Sequence, residues 1–312
     1  MVSPAPDLET KRFGALLPHE WVFGGFLALT AARLMVAGAT GWGLVFLGCL
    51  LGSMAVIVWA GRHPSAWRWR VRLLYYPSVM GISFFAMGKA LPVPGAVKAD
   101  ALLLGWDRAL LGETPSVMWE PWLRPWLVDV MMAGYLFFFF YLIAGPGRYC
   151  IRDMPAFRKN IVGLFTMYGL GFTGYTFFPA GGPHRFMTFA TPLDGPLLLN
   201  WTLKTVNDGS NAVDVFPSIH FAATLYLLLF DWQHHRRRFW WALLPCVVLW
   251  WATMYLRFHY FVDLLGGVVV ALAGWGMAQW YERSILARRA NETETKAQDV
   301  TAPDFVVAAR NN

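Results

Sequence analysis

Residues 126–144 read WLVDVMMAGYLFFFFYLIA and carry a single charged side chain, Asp129. A helix that crosses the hydrocarbon core of a bilayer needs about 20 mostly apolar residues, and this stretch meets that requirement on its own. Further segments come close to it in length and composition: 22–40, 43–60, 72–91, 161–179, 216–231, 239–257 and 261–281. The sequence therefore predicts an all-α, polytopic membrane bundle of about eight transmembrane helices.

The overall composition agrees with a membrane protein. Of 312 residues, 57% are hydrophobic and 14% are charged, and the mean hydropathy is +0.42, whereas a soluble domain carries about 25% charged residues. We predict an N-terminal segment with two transmembrane helices (1–71), a six-helix catalytic membrane core (72–285) and a disordered cytoplasmic tail (286–312). Charges and prolines interrupt residues 97–125, which predicts an interfacial helix followed by a connector.

The distribution of Lys and Arg predicts which side of the membrane each loop faces. With eight spans, 18 of the 26 Lys and Arg residues fall on the side that holds both termini, and six fall on the other. Because short cytoplasmic loops are enriched in these residues, we predict cytoplasmic N- and C-termini in the plasma (inner) membrane and an extracytoplasmic opposite side. The net charge of +7 is then a topology signal, and the sequence offers no soluble basic face for nucleic acid.

Three short segments on the predicted extracytoplasmic side carry phosphate-binding residue types at the ends of spans. They are Pro183-His184-Arg185, Pro217-Ser218-Ile219-His220 and the run from Arg257 to Asp263. An arginine fork binds phosphate oxygens bidentately, so Arg185 and Arg257 are candidate phosphate ligands, with His184 a weaker one. Ser218 precedes a predicted helix, whose free N–H groups and dipole also favour an anion. Ser218 as a plain helix cap, and the two arginines as interface anchors, are the simpler interpretations.

The remaining histidines suit phosphoryl transfer without a metal ion. His259 can attack phosphorus if a carboxylate fixes its tautomer, and Asp263 lies four residues further on, a spacing that places both on one helical face. His220 is then available to protonate the leaving oxygen and later to deprotonate the acceptor. These three residues are the predicted catalytic group, and the sequence predicts no metal site and no cofactor.

These motifs resemble those of the type 2 phosphatidic acid phosphatase superfamily of membrane lipid phosphatases and phosphotransferases. The superfamily's second motif, Pro-Ser-Gly-His, reads Pro217-Ser218-Ile219-His220, and the end of the third, His-Tyr-x-x-Asp, reads His259-Tyr260-Phe261-Val262-Asp263. The second motif has a residue other than glycine at its third position. In this respect the sequence is similar to the branch typified by fungal inositol phosphorylceramide synthase. The resemblance, over about residues 72–281, implies that His259 is the nucleophile, Asp263 its orienter, His220 the general acid/base and Ser218 a phosphate ligand.

The chain departs from the family pattern at two motifs. Ala252 and Thr253 stand where the third motif begins with Ser-Arg, so Arg257 is the candidate replacement for that arginine. The first motif, Lys-x6-Arg-Pro, is not recognisable, and Gly-Pro-His-Arg at 182–185 stands in its place. Arg185 is therefore the candidate for the first motif's phosphate ligand.

The sequence thus predicts a metal-independent membrane lipid phosphotransferase or phosphatase that acts at the extracytoplasmic face through a phosphohistidine. The expected partners are a lipid phosphate, the bilayer, and inositol or another alcohol as acceptor. A simple lipid phosphate or polyprenyl pyrophosphate phosphatase is the alternative within this chemistry. A haem or metal protein using His184, His220 and His259 is an alternative from another class, although no two of them share one span at a bis-histidine spacing. A transporter is the third.

Overall fold

The structure, a computed structural model, describes residues 16–92, 98–199, 201–203 and 212–301, with side chains as far as residue 287. These ranges are helical with connecting loops and contain no β-strand, which confirms the predicted all-α class. The principal helices are α1 (Pro18–Val36), α2 (Thr40–Arg62), α3 (Ala66–Ala90), α4 (Asp100–Leu111), α5 (Pro125–Arg152), α6 (Met154–Phe177), α7 (Ile219–His234), α8 (Arg236–Tyr255) and α9 (Phe261–Thr301). All except α4 overlap a predicted span.

Helix α6 lies at the centre of the bundle, and it contacts α1, α7 and α9. Most of its residues between Ala156 and Phe172 are buried, including the two charged side chains Arg158 and Lys159. Its closest neighbour is α9. A Cβ atom added to Gly163 would lie 2.7 Å from the carbonyl oxygen of Gly274, so the two backbones touch where both residues lack a side chain.

Three helices are long and apolar enough to cross a membrane by length and composition: α2, α5 and the part of α9 from Phe261 to Ala287. The outward faces of other helices also expose large apolar side chains, such as Phe85, Phe140 and Leu244. Such broad exposed apolar surface is typical of contact with lipid rather than with water. The protein is therefore an integral membrane protein, and the number of eight spans stays a prediction.

The region between the third and fourth predicted spans folds as a helix and a connector, as the sequence suggested. Helix α4 is followed by two short helical turns, Pro115–Met118 and Glu120–Trp122. Helix α3 begins at Ala66, six residues before the predicted start of the six-helix core, because Ser65 caps it by accepting a hydrogen bond from the Arg68 N–H. The division into domains itself stays a prediction.

The predicted disordered tail differs from the structure over part of its length. Helix α9 continues from the last apolar residues to Thr301, so residues 286–301 are helical. This stretch is rich in Ala, Arg, Glu, Lys and Gln, which are strong helix formers, and it contains no Gly or Pro that would end the helix. Residues 302–312, and part of the polar loop between α6 and α7 (204–211), lie outside the described residues.

Candidate active site

The two predicted catalytic histidines meet in the structure. The Nε2 atom of His259 lies 3.4 Å from Nδ1 of His220, and the Nδ1 atom of His259 lies 3.3 Å from Oδ2 of Asp263. His259 and Asp263 are buried, with 2% and 0% of their surface exposed. The three residues therefore form one chain of contacts, carboxylate to imidazole to imidazole, in which the proton positions are not fixed by the heavy atoms.

Helix starts place these three side chains. His259 lies in the short loop between α8 and α9, and the Asp263 carboxylate in the first turn of α9 accepts a hydrogen bond from the Tyr260 N–H at 2.7 Å. Ser218 caps α7 through its side chain, which accepts from the Phe221 N–H at 3.3 Å. Its own N–H donates to the Asp263 carbonyl at 2.9 Å, which joins the starts of α7 and α9.

Ser218 therefore acts as the helix cap of the simpler interpretation, and it also stands at the N-terminus of the helix that carries His220. The free N–H groups and dipole of this end favour a bound anion. A cap and a phosphate ligand are compatible roles, since an anion at this end meets the same partial positive charge.

The segment with His184 and Arg185 lies against the catalytic loop. Gly182 has φ +84°, and a Cβ atom there would lie 2.4 Å from the carbonyl oxygen of Phe258, so only glycine permits this approach. The His184 N–H donates to the Arg257 carbonyl at 2.9 Å. The Arg185 Nε atom donates to Nε2 of His184 at 3.1 Å, and the Arg185 side chain is exposed.

Lys98 lies next to this segment in space, although the sequence gave no reason to select it. Its Nζ atom lies 3.4 Å from the position that a Cβ of Gly181 would occupy, beside the Cβ and Cδ atoms of Arg185. Two exposed cations from separate segments of the chain, Lys98 before α4 and Arg185 after α6, therefore lie close together beside Gly181. Within the described residues, neither Lys98 nor Arg185 makes an ion pair with a carboxylate.

Arg257 is placed differently from the prediction that it binds phosphate. Its guanidinium donates to Glu120 at 3.1 Å and to the Thr191 carbonyl at 2.7 Å, and it lies 3.8 Å from the centroid of the Phe189 ring. The residue adopts φ +65°. Its carbonyl accepts from His184, so Arg257 contributes to the site through its backbone while its side chain is held by the neighbouring loop.

Helix α4 holds both site loops through two buried carboxylates that sequence reasoning missed. Asp100 accepts from the N–H groups of Gly181 and Gly182, each at 2.9 Å, and from the Tyr260 hydroxyl at 3.1 Å. About two helical turns further along α4, Asp107 accepts from the N–H groups at the start of α9. The donors to Asp107 are Phe261 at 3.0 Å, Val262 at 2.9 Å and the Thr114 hydroxyl at 2.7 Å.

Comparison with known proteins identifies the family. The family model of the PAP2 superfamily matches residues 101–277, more than half of the chain. The chain belongs to the PAP2 superfamily.

Two fungal proteins are among the relatives of this PAP2 superfamily member. The inositol phosphorylceramide synthase of Candida albicans is 45% identical over 144 residues, which cover 45% of this chain and 27% of that protein. The catalytic subunit of inositol phosphorylceramide synthase from Saccharomyces cerevisiae is 29% identical over 125 residues, or 38% of this chain and 31% of that protein. The alignments thus span about a third or less of these relatives. No solved structure matches the chain.

The resemblance to the inositol phosphorylceramide synthase branch is thereby confirmed. The matched segment contains α4, the loop with His184, both catalytic histidines and Asp263. Helices α1, α2 and α3 precede it.

Burial keeps the loop histidines of this PAP2 superfamily site neutral at physiological pH. Burial lowers the pKa of His259 to about 4, against the smaller opposing effects of the Asp214 carboxylate and the Val215 backbone. Burial, with the charge of Arg185, also lowers the pKa of His184 to about 4. A neutral imidazole has a free lone pair, which is the form that a nucleophile needs.

Tyr135 is a further site residue that the sequence did not reveal. Its hydroxyl lies 2.9 Å from Nε2 of His220, and the Phe138 ring packs 4.5 Å from the His220 ring. The signal, a tyrosine inside the apolar run of α5, is too common in membrane helices to be selective. In the described residues no group of three or more His, Cys, Asp or Glu side chains is arranged to hold a metal ion.

Proposed function

We propose that this protein is a lipid phosphotransferase or phosphatase that forms a phosphohistidine on His259. The observation that carries the proposal is the geometry of His259, whose two ring nitrogens face an orienting carboxylate on one side and a second imidazole on the other. Asp263 orients the imidazole so that Nε2 presents a lone pair. In this proposal His220, which lies next to that Nε2 atom, donates and accepts the proton.

Two steps complete the reaction with a balanced set of bonds. In the first, Nε2 of His259 attacks the phosphorus, the bond between phosphorus and the leaving oxygen breaks, and protonated His220 gives its proton to that oxygen. In the second, neutral His220 removes a proton from an acceptor hydroxyl, whose oxygen attacks the phosphorus while the P–N bond breaks. Both residues then return to their starting state.

Positive charge and a helix terminus supply the electrostatic part. The separation of 3.4 Å between the two histidine nitrogens leaves no room for a phosphorus atom. The substrate phosphate therefore approaches from the side or displaces the His220 ring. Arg185 and Lys98 are the cations placed to neutralise it, together with the start of α7 at Ser218.

The relatives favour transfer over hydrolysis. These relatives are named for the synthesis of inositol phosphorylceramide, so we propose an inositol-containing donor or acceptor, with the bilayer as the source of lipid. Hydrolysis of a lipid phosphate or a polyprenyl pyrophosphate is the second candidate, because the same site accepts water if it reaches His220.

Trapping of the covalent intermediate tests the proposal. His220→Ala lacks the proton donor, but p-nitrophenyl phosphate has a leaving group that needs little protonation, so the variant should still form the phosphoenzyme. Because His220 is also the base of the second step, the variant should then accumulate this phosphoenzyme. We expect acid-labile, base-stable phosphate on His259. The matched control is His234→Ala, at the opposite end of the same helix α7, which should turn over without accumulation. If both variants turn over alike and no phosphate is trapped, the assignment is wrong.

Metal independence is a separate part of the proposal. Arg185, Lys98 and the α7 terminus neutralise the phosphate charge without a metal ion, so turnover should persist in excess EDTA. A strict requirement for added Mg²⁺ would contradict this electrostatic assignment while leaving the histidine chemistry to the trapping experiment.

We also propose that the site faces away from the cytoplasm. In a variant without Cys150, the half-buried cysteine, a new cysteine at the exposed residue Asp194 should react with an impermeant thiol reagent added to intact cells. One at exposed His63, between α2 and α3, should not react until the membrane is opened. The reverse pattern would overturn the predicted orientation.

A further inference from the structure

A cavity of about 490 Å³ lies beside the catalytic histidines, between helices α3 and α5. Its inner end is formed by His220 and Asp214, and its walls are mainly aromatic. Helix α3 packs against α2 and α6, which leaves this space between it and α5. The volume falls within the range of about 300–1,000 Å³ that is usual for small-molecule sites.

The cavity reaches the outer surface of the bundle. Phe85 on α3 and Phe139 on α5 both line it, and they are 57% and 49% exposed. In a membrane protein, this outer surface is in contact with lipid chains. The cavity therefore joins the apolar surroundings of the bundle to the site of phosphoryl transfer.

We infer that this cavity holds a hydrocarbon chain of the lipid substrate, and that its α3 wall selects the chain. The inference rests on the proposed function, because it assigns the cavity to the molecule whose phosphate reaches His259. The occupant is inferred from the position of the cavity, which joins the lipid-facing surface to the catalytic site. An apolar chain in the cavity positions its polar end at His220 and Asp214.

Helix α3 is the wall on which selection depends. It lies before residues 101–277, the segment that matches the family, so this wall is built outside the matched catalytic core. Lipid chains are as apolar as the cavity, and burial alone does not distinguish one chain from another. Shape must do so, through the side chains that fill the space.

Gly81 is the position where shape is easiest to change. It lines the cavity from within α3, and a Cβ atom there meets nothing within 4 Å. A Cβ atom at this position therefore has open space around it, and a larger side chain is expected to reach into the cavity that Gly81 lines. It occupies volume that the proposed chain needs.

Gly81→Leu with chain-length pairs of substrate tests the inference. Phosphatidic acid and phosphatidylinositol are each offered with two oleoyl or two hexanoyl chains. We expect kcat/KM for the oleoyl forms to fall about tenfold or more, because a chain that no longer fits an apolar pocket loses binding energy. The value for the hexanoyl forms should change less than about twofold. The matched control is Gly147→Leu, a half-buried glycine in α5 with equally open surroundings that does not line the cavity. It should leave both values unchanged.

A binding measurement separates this inference from the proposed function. A phosphatidylinositol with a diazirine in its acyl chain should cross-link to α3 between residues 80 and 85 and to the facing part of α5, and Gly81→Leu should remove the adduct. Cross-linking there without turnover of any lipid would overturn the proposed function and retain the lipid site. Equal effects of Gly81→Leu on long and short chains, or adducts only outside the helices that line the cavity, would overturn the inference.

Discussion

The two ends of the helical bundle hold their buried carboxylates in different ways. At the end away from the histidines, buried carboxylates or cations form ion pairs: Arg72 pairs with Glu20, Lys159 with Glu282, and Arg238 with Asp231. The hydroxyls of Tyr141 and Tyr149 complete the shell of Asp231, at 2.8 and 3.1 Å. The charges in these groups are neutralised within the protein, and removing one partner would leave the other buried and uncompensated.

At the histidine end, the buried carboxylates bind backbone N–H groups instead. Asp100, Asp107 and Asp263 do so as described above, and Asp129 accepts from the N–H groups of Leu197, Leu198 and Leu199. An ion pair also occurs at this end, between the buried Arg257 side chain and Glu120. Among the described residues, Arg185 and Lys98 have no carboxylate partner. The buried acids at this end therefore hold the loops, whereas Arg185 and Lys98 keep their charges at the surface.

The largest expected effect separates His259 from Asp231. His259→Ala removes the nucleophile, so kcat should fall by at least about 10³-fold while the melting temperature changes little. Asp231→Asn leaves Arg238 without its buried partner, so the free energy of unfolding should fall by about 3–5 kcal/mol with kcat of the folded enzyme unchanged. Initial rates and thermal unfolding in detergent measure both. Equal kcat losses in the two variants would mean that the two ends do not differ in role.

Asp263→Asn should give the next largest effect. The new amide oxygen still accepts from the Tyr260 N–H, so the start of α9 is kept, but the side chain no longer holds His259 in the attacking tautomer. We expect kcat to fall on the order of 10²–10³-fold, since a wrong tautomer disables an imidazole catalyst even when geometry is retained. Full activity in this variant would show that Asp263 serves the fold alone.

Asp107→Asn tests a buried carboxylate that acts by holding the loop backbone and does not contact the substrate. An amide accepts fewer backbone bonds, so the loop after His259 loosens, and kcat should fall about tenfold with KM changed less than twofold. The matched control is Thr114→Val, which removes only the hydroxyl donor and should keep kcat near that of the wild type. A lower melting temperature with unchanged kcat in Asp107→Asn would reduce this residue to a structural role.

The smallest expected effect is the contribution of His184 to acid sensitivity. With a folded-state pKa of about 4, against 6.5 for the free side chain, His184 binds its proton more tightly in the unfolded chain. Stability is therefore lost as the pH falls from about 6.5 towards 4. His184→Asn should lessen the fall in melting temperature over this window by a few degrees. The exposed His63→Asn is the control and should leave it unchanged.

The parts of the site that the sequence predicted are those with local causes. The spacing of His259 and Asp263 lies within one helix start, and Ser218 and His220 share another, so motif and helix geometry suffice. The missed residues act across the chain: the Asp107 contacts span 154 and 155 residues, and the contact of Tyr135 with His220 spans 85. No periodicity encodes such pairs.

The direction of the Arg257 side chain could not be read from the sequence for the same reason. The sequence places Arg257 two residues before His259, but its guanidinium direction depends on Glu120 and Thr191, which lie in other parts of the chain. Helix content and the apolar core were accessible because they depend on runs of one residue type. Side-chain direction is set by tertiary contacts.

The carboxylates of α4 also bear on how the protein is made. Asp107 leaves the ribosome 154 residues before Phe261, its N–H donor, and a carboxylate is not buried while its donors are missing. We therefore expect helix α4 to take up its final position only after the start of α9 has been made. Protection of α4 from water-borne reagents would thus mark the moment when a nascent chain becomes a competent enzyme.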